Sequence, residues 1–498
     1  MQTVQIRLQP LGKEVSVARG TSLIDVLHEF GVEFPCGGKG NCGKCKVKVL
    51  QGGIHTDSEH RRKLQELGLN PDWRLACKSL AEGDLVLEVG QYEEMIQADD
   101  SLFSFLSRPG YGVAVDLGTT TLVAQLVDLS TAKVLAVETA LNPQRKWGSD
   151  LISRLESALA GNGPMLTQLI REEIGGMLQK LFSGRAIFIE RLVIVGNTVM
   201  QHFFAGSDSR PLAFYPFESP ELGAKRFSAS ELQWKIDCKE IIFYPSIGSF
   251  VGSDVLAGIH ATGMWRQKEF SVLVDLGTNG EIVVGNSELL LCASTAAGPA
   301  FEGAKISMGM LATTGAISSV TDTGEGISCS VIGNVPASGL CGSGLIDAVA
   351  VLLDNGMLGN FGEILSGDTE IALTNKVTLT ARDVQEFQLA KAAIAAGLSI
   401  LLRKLEITSE EINHIYIAGA FGNYINLEKM VRTGMMDFPL DRFRKLGNSA
   451  LIGAKMFLFS EMNIPEEILA ITSHVNLESE QDFQDIFVDR LSFTPPSN

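Results

Sequence analysis

Positive charge is scarce in this 498-residue chain: 41 Lys and Arg face 58 Asp and Glu, for a formal charge of -17. That deficit excludes a general nucleic-acid or anionic-membrane binder, since both need a positive footprint. Long apolar runs are missing as well. No stretch approaches the ~18 uninterrupted apolar residues of a membrane span, and the most apolar helical stretch, Leu389 to Leu402, carries Lys391. The opening MQTVQIRLQPLGKEV lacks the apolar h-region and small-residue cleavage site of a signal peptide. A cytoplasmic location is expected, where the 8 cysteines read as metal ligands or buried thiols before disulfides. None of the 7 histidines sits in a metal or catalytic motif, and no nucleophile–His–Asp arrangement stands out. Glycine, by contrast, is plentiful at 51 residues, which signals tight turns and backbone that approaches something closely. With 45% hydrophobic and 20% charged residues the balance is that of a folded globular protein, long enough for about three domains.

By pattern, residues 1–90 form one unit. Gln2 to Leu8 alternates like a strand, Gly12-Lys13 turns, and Glu14 to Val17 returns. Ser22 offers an N-cap and Asp25 favours the positive end of a helix whose face is Leu23, Val26 and Leu27. A glycine-rich loop follows, then strands at Lys46 to Leu50 and Asp84 to Val89, so a small β-grasp-like sheet is expected. Residues 91–110 read as a linker ending in Arg108-Pro109-Gly110. From Tyr111 onward, apolar strands ending in glycine turns alternate with amphipathic helices, the pattern of α/β architecture. GVAVDLGTTTLVAQL at Gly112 and SVLVDLGTNGEIVVG at Ser271 resemble each other. An internal duplication explains the pair, with halves expected at 111–270 and 271–498.

Cys36, Cys42 and Cys45 share the loop FPCGGKGNCGKCKV, and Cys77 lies in WRLACKS. Three thiolates from one loop and a fourth from a distant segment suit an iron–sulfur cluster, with glycines that let the loop wrap closely. Zinc is the rival, but zinc ribbons present two C-x2-C knuckles and here the fourth cysteine stands alone. The C-x5-C-x2-C spacing and the Arg-Leu-x-Cys setting of Cys77 resemble the adrenodoxin-like [2Fe–2S] ferredoxins. Cys238, Cys292, Cys329 and Cys341 show no ligand spacing and read as small buried hydrophobes.

Three segments suit phosphate and nucleoside. In the first, Asp116 is placed to hold a water on Mg²⁺, Gly118 lets the backbone meet a phosphate, and Thr119, Thr120 and Thr121 offer N–H and hydroxyl donors. The second, around Asp275, Gly277, Thr278, Asn279, Gly280 and Glu281, repeats this chemistry. The third, Gly419, Ala420, Phe421, Gly422 and Asn423 after an apolar strand, suits a flat approach to adenine or ribose. Each alone is a common hairpin turn. Together and in this order they resemble the phosphate-1, phosphate-2 and adenosine motifs of the acetate kinase, sugar kinase, Hsp70 and actin superfamily, in which duplicated subdomains clamp ATP. No Walker A pattern is present. Ala296 to Gly303 resembles the Ala-Ala-Gly turn of activators of 2-hydroxyacyl-CoA dehydratases, and Ser338 to Gly344 is a further glycine segment; plain helix–strand packing explains both equally. Gly196-Asn197-Thr198 has the look of a strand-to-helix turn at the cleft.

The whole chain resembles the ATP-dependent reductive activators of corrinoid proteins. The order matches: a [2Fe–2S] ferredoxin-like domain, a linker, then a kinase-like ATPase. Asn142-Pro143-Gln144 followed by Ser149-Asp150-Leu151-Ile152-Ser153-Arg154 is similar to that family's pattern. The resemblance implies a mixed α+β and α/β protein, a β-grasp domain followed by a duplicated actin-like, ribonuclease H-like ATPase. It also implies a [2Fe–2S] cluster on the four named cysteines, and ATP with Mg²⁺ at Asp116, Asp275 and Glu281 and the loops beside them. The implied partners are a corrinoid protein of a methyltransferase system and a low-potential electron donor, with a homodimer as the superfamily's frequent assembly. Inactive Co(II) would be returned to Co(I), with ATP binding or hydrolysis driving the electron step. Two other classes compete: a redox-gated small-molecule kinase, and an electron carrier or scaffold with a vestigial ATPase fold. Larger family members carry an extra domain after the linker, which the short interval from Cys77 to Tyr111 does not admit.

The charge is uneven along the chain. Residues 1–90 hold 12 Lys and Arg against 11 Asp and Glu, so nearly all the negative excess lies beyond them. Lys39, Lys44, Lys46 and Lys48 lie in or beside the cysteine loop. They read either as a solvated loop or as a basic rim that docks on an acidic surface.

Overall fold

A computed structural model describes residues 2–9, 12–28, 45–70, 72–89, 107–148, 150–183, 185–277, 279–295, 297–303, 305–310, 312, 315–324, 326–332, 335–419, 425–461 and 463–493. In the N-terminal part, β1 (Thr3–Gln9) buries Val4, Ile6 and Leu8 and pairs antiparallel with β2 (Lys13–Ala18). The helix α1 (Leu23–His28) lays Leu23, Val26 and Leu27 on the core, with Ser22 Oγ accepting from Ile24 N. Then come β3 (Lys46–Gln51), α2 (Ser58–Glu66), β4 (Trp73–Leu75) and β5 (Leu85–Val89). The sheet runs β2-β1-β5-β3-β4, with β1 and β5 parallel at its centre. This is the expected grasp. The polar α2 and three-residue β4 are additions to the sequence reading: α2 turns only His60 and Leu64 inward, too faint a stripe to read.

Two larger sheets follow. The first is built from β6 (Tyr111–Leu117), β7 (Thr121–Asp128), β8 (Val134–Leu141), β9 (Phe188–Gly196), β10 (Lys225–Phe227), β11 (Asp237–Cys238) and β12 (Ile241–Phe243). Its helices include α3 (Leu151–Ser157), α4 (Gly163–Phe182), α5 (Thr198–Ala205) and α6 (Ser253–Thr262). The second contains β13 (Phe270–Leu276), β14 (Gly280–Gly285) and β15 (Leu290–Thr295). A separate small sheet of β16 (Ala316–Asp322), β17 (Ile327–Val331) and β18 (Gly339–Leu340) is inserted next. After it come α7 (Gly342–Asp354), α8 (Ala381–Lys404), β19 (Ile412–Ala418), β20 (Phe443–Gly447), α9 (Ser449–Phe457) and β21 (Thr472–His474).

The strand orders reveal the duplication. Around the first sheet the path is β8-β7-β6-β9-β12, and around the second it is β15-β14-β13-β19-β20. In each, the first three strands are antiparallel and the last two join parallel. The edges differ, by β10 in one case and β21 in the other. Parallel central strands are buried on both faces, and β6 accordingly buries Gly112 to Val115 without a break. Lys391 sits inside α8, buried, where its amine donates to the Ser492 carbonyl and burial lowers its pKa to about 7. Among the described residues no helix is long and apolar enough to cross a membrane.

Candidate functional site

Asp116 is the penultimate residue of β6, and Asp275 holds the same place on β13. The antiparallel register puts Glu281 of β14 directly opposite Asp275. Like charges so placed repel. Each keeps part of its surface open to the cleft, yet lies deep enough that burial dominates its proton affinity. Burial raises Asp275 to about 7, aided by the charge of Asp116. Burial raises Asp116 to about 6, against the lowering effect of a hydrogen bond from Asn448. Asp254, second residue of α6, joins them: burial lifts it to about 7, with Asp116 and Asp275 adding repulsion. Glu281 is also raised, by burial first and then by Asp254 and Asp275. Four desolvated carboxylates in one cleft form a strongly anionic site. Among the described residues no three His, Cys, Asp or Glu converge closely enough to hold a metal directly. Carboxylate oxygens of this kind suit a hard cation such as Mg²⁺.

The first glycine turn is anchored from behind. Asn142 Nδ2 donates to Gly118 O at 2.9 Å, Asn142 N donates to Thr120 O at 2.9 Å, and Arg154 Nη2 donates to Thr119 O at 2.7 Å. Three consecutive carbonyls are thus fixed before any ligand arrives. Asp150 and Ser153 form the capping box that starts α3 and brings Arg154 inward, where it is fully buried. Asn142 and Arg154 were singled out in the sequence by resemblance alone; their physical task is to hold this turn.

In the second turn Gly277 N donates to Asn279 O at 3.0 Å, while Gly280 starts β14. Thr278 lies outside the described residues, as do Ala420, Phe421, Gly422 and Asn423 of the third segment. Gly419 is described and has a positive φ of 89°; a Cβ there would meet Leu276 O at 2.4 Å and Asp275 Oδ1 at 2.8 Å. Its counterpart in the first half is Gly196, where a Cβ would meet Leu117 O at 2.6 Å. Both halves press a glycine against the carbonyl that follows the aspartate.

Gly196-Asn197-Thr198 is a strand-to-helix turn, with Asn197 capping α5 and Gly196 N donating to Ser253 Oγ. It backs the start of α6 and so the place of Asp254. In the segment Ser338 to Gly344, helix α7 packs closely on β16: a Cβ on Gly344 would meet Ile317 O at 2.1 Å. Asp254, Asn448 and Ser449 were absent from the sequence reading. Asn448 Nδ2 donates to Asp116 Oδ2 at 2.7 Å and Ser449 Oγ to Asp275 Oδ2 at 3.4 Å. The signal was there to find, since Gly447-Asn448-Ser449 repeats the glycine–Asn–hydroxyl pattern of Gly196-Asn197-Thr198 after a strand.

At the other end of the chain, pairing of β3 with β4 brings Cys45 and Cys77 together, with sulfurs 3.2 Å apart. That is well beyond the ~2.05 Å of a disulfide. Cys45 is buried, and Cys77 sits in a short helical turn after β4. Two thiols held side by side fit one corner of a cluster. Cys36 and Cys42 lie outside the described residues, with Lys39 and Lys44. Lys48 pairs with Asp72 at 3.4 Å, and Lys46 lies 4.7 Å over the Trp73 ring. Among the described residues, Lys13–Glu138 at 3.6 Å and Lys133–Glu88 at 3.3 Å are ion pairs between this domain and the first ATPase half.

Comparison with known proteins accords with this layout. A family model for a 2Fe-2S iron-sulfur cluster binding domain matches residues 6–82, one for the RACo middle region matches 111–267, and one for the C-terminal ASKHA domain of RACo matches 269–497. The chain is 30% identical to the corrinoid activation enzyme RamQ of Eubacterium limosum, over 97% of this chain and 98% of that one. It is 28% identical, over 77% of each, to the [Co(II) methylated amine-specific corrinoid protein] reductase of Methanosarcina barkeri. A solved reductive activator for corrinoid, iron-sulfur protein superposes with a TM-score of 0.68 at 27% identity, covering 98% of both chains. With a cluster domain, two like halves and a cleft of carboxylates between them, the chain belongs to the family of reductive activators of corrinoid proteins.

Proposed function

We propose that this protein returns a corrinoid protein from Co(II) to Co(I), using one electron from its N-terminal cluster and driving the transfer with ATP at the cleft. The observation that carries the proposal is the union in one chain of the Cys45–Cys77 corner with the cleft of Asp116, Asp254, Asp275 and Glu281. We divide the chain into a ferredoxin-like domain at 1–90, a linker at 91–110, and ATPase halves at 111–270 and 271–498.

In this reading Cys36, Cys42, Cys45 and Cys77 hold the cluster, which supplies single electrons at low potential. Gly118 to Thr121 and Gly277 to Gly280 receive the phosphates from opposite sides, and Gly419 to Asn423 take the nucleoside. Asp116 and Asp275 orient waters on Mg²⁺, which neutralises phosphate charge when bound. Glu281 and Asp254 surround the same space and add negative charge that a bound cation would offset. Closure around ATP favours docking to the Co(II) partner and hydrolysis resets it, since a ligand shifts an equilibrium only by its differential affinity for two states.

The acceptor we assign is a corrinoid protein of a methyltransferase system, and the donor a low-potential carrier. The setting is the reducing cytoplasm, where the thiolates stay available to iron. A homodimer is the proposed assembly, a reading supported by the exposed apolar side chains of Phe361 and Val488; a monomer mass by light scattering would contradict it. The function is tested by visible spectroscopy of a Co(II) corrinoid protein with reductant, with and without Mg·ATP. More Co(I) is expected with nucleotide, and equal yields would refute the coupling. Cys45→Ser should abolish Co(I) formation and spare nucleotide binding.

A further inference from the structure

The start of α9 reaches across the cleft. Asn448 follows β20 and belongs to the second half, yet its Nδ2 donates to Asp116 Oδ2 in the first half at 2.7 Å. The Oδ1 of the same amide accepts from Leu451 N at 2.7 Å, capping the helix. With the oxygen committed to the helix, the nitrogen is the end that faces Asp116, whose ionised carboxylate has only acceptors. One side chain therefore caps its own helix and bridges the two halves.

The bridge lies where the two halves pack most tightly. Helices α6 and α9 cross almost without spacers: a Cβ on Gly453 would meet Ala257 O at 2.0 Å, and one on Gly258 would meet Ser449 Oγ at 3.0 Å. The residue before α6 is Gly252, where a Cβ would meet Gly196 O at 2.2 Å. No side chain can reach back from there toward Asp275. At the far end of α9 the first half reaches back, with Arg191 Nη1 donating to Phe457 O at 3.2 Å and His260 Nε2 bonded to Ser460 Oγ at 2.9 Å.

We propose that Asn448 is a positioning residue that holds Asp116 in its working orientation from across the boundary between the two halves. This rests on the nucleotide-site reading above. Without this 2.7 Å bond the Asp116 carboxylate is free to turn.

The test uses Asn448→Ser and Asn448→Asp in the full-length protein. Both residues are good N-caps, so α9 keeps its start. Serine is too short to bridge, and aspartate opposes Asp116 with a like charge. Turnover of ATP should fall about 10-fold in Asn448→Ser and about 100-fold in Asn448→Asp, with Kd for Mg·ADP changed by less than about 3-fold. Wild-type turnover in Asn448→Ser would overturn the inference alone. So would equal losses of turnover and Mg·ADP affinity, which mark a plain binding or folding role. Absence of Mg·ADP binding by the wild-type protein would overturn the nucleotide-site reading and this inference with it.

Discussion

The two ATPase halves share a strand order, an aspartate at the end of the central strand and a glycine pressed on the carbonyl after it, yet their cleft helices begin differently. In the first half Gly252 precedes α6 and the acid Asp254 follows. In the second, Asn448 precedes α9 and Ala450 occupies the place of the acid. The first half contributes charge at its helix start, and the second contributes a donor. Duplication thus supplied the frame, and divergence at two helix starts made the halves complementary rather than equivalent.

The largest expected effect breaks the symmetry of the aspartates. Asp275→Asn should lower ATP turnover by about 10²–10³-fold, the scale for a lost electrostatic contact at a reacting centre. The cluster's absorbance should be unchanged. Asp116→Asn should do the same, and a normal turnover in either would mean that the halves do not share one site.

The next pair compares the pressed glycines. Gly419→Ala combines contacts of 2.4 and 2.8 Å with a positive φ of 89°, whereas Gly196→Ala meets one carbonyl at 2.6 Å without that conformation. Both should destabilise, by roughly 1–3 kcal/mol in denaturant melts. Gly419→Ala should be the worse, and it alone should displace Asp275. Equal costs would remove the distinction.

Lys455 sharpens the contrast between the cleft helices. It is fully buried in α9, its Nζ has no hydrogen-bond partner among the described residues, and burial lowers its pKa from 10.5 to about 7. Below pH 7 the full cost of the buried charge is present. Between about 7 and 10.5 the unfolded chain holds the extra proton, so this group makes stability rise with pH in that window. Lys455→Met should stabilise by roughly 1–4 kcal/mol at pH 7 and flatten that rise; an unchanged pH profile would refute it.

The smallest effect concerns the cluster domain. Lys13 and Glu138 pair at 3.6 Å with side chains 41% and 14% exposed, so the contact is worth less than about 1 kcal/mol. Lys13→Glu should change the salt dependence of Co(II) reduction by a few-fold at most. A larger change would mean that this contact is the dock for electron transfer itself.

What was legible in the sequence follows from local signals. Asp116, Asp275 and Glu281 were readable because a strand running into a glycine turn announces itself over a few residues, and twice. The cysteine loop was readable by spacing. Asp254, Asn448 and Ser449 were missed because they enter the cleft from helix starts, far along the chain from the strands they serve; the Asn448–Asp116 bond joins residues 332 positions apart. The lysines beside the cysteine loop read either as a solvated loop or as a basic rim; the partners of Lys46 and Lys48, Trp73 and Asp72, are neighbours that only the pairing of β3 with β4 brings near. Spacing along the chain shows which groups belong to one loop. It does not show what a helix start will reach.

The central claim is that events at the cleft drive the electron from the cluster domain. The most direct measurement is a single-turnover reduction of a Co(II) corrinoid protein by the Asp275→Asn variant, its cluster reduced beforehand and Mg·ATP present. The account predicts no more Co(I) than the wild-type protein makes without nucleotide. A yield equal to that of the wild-type protein with Mg·ATP would contradict it.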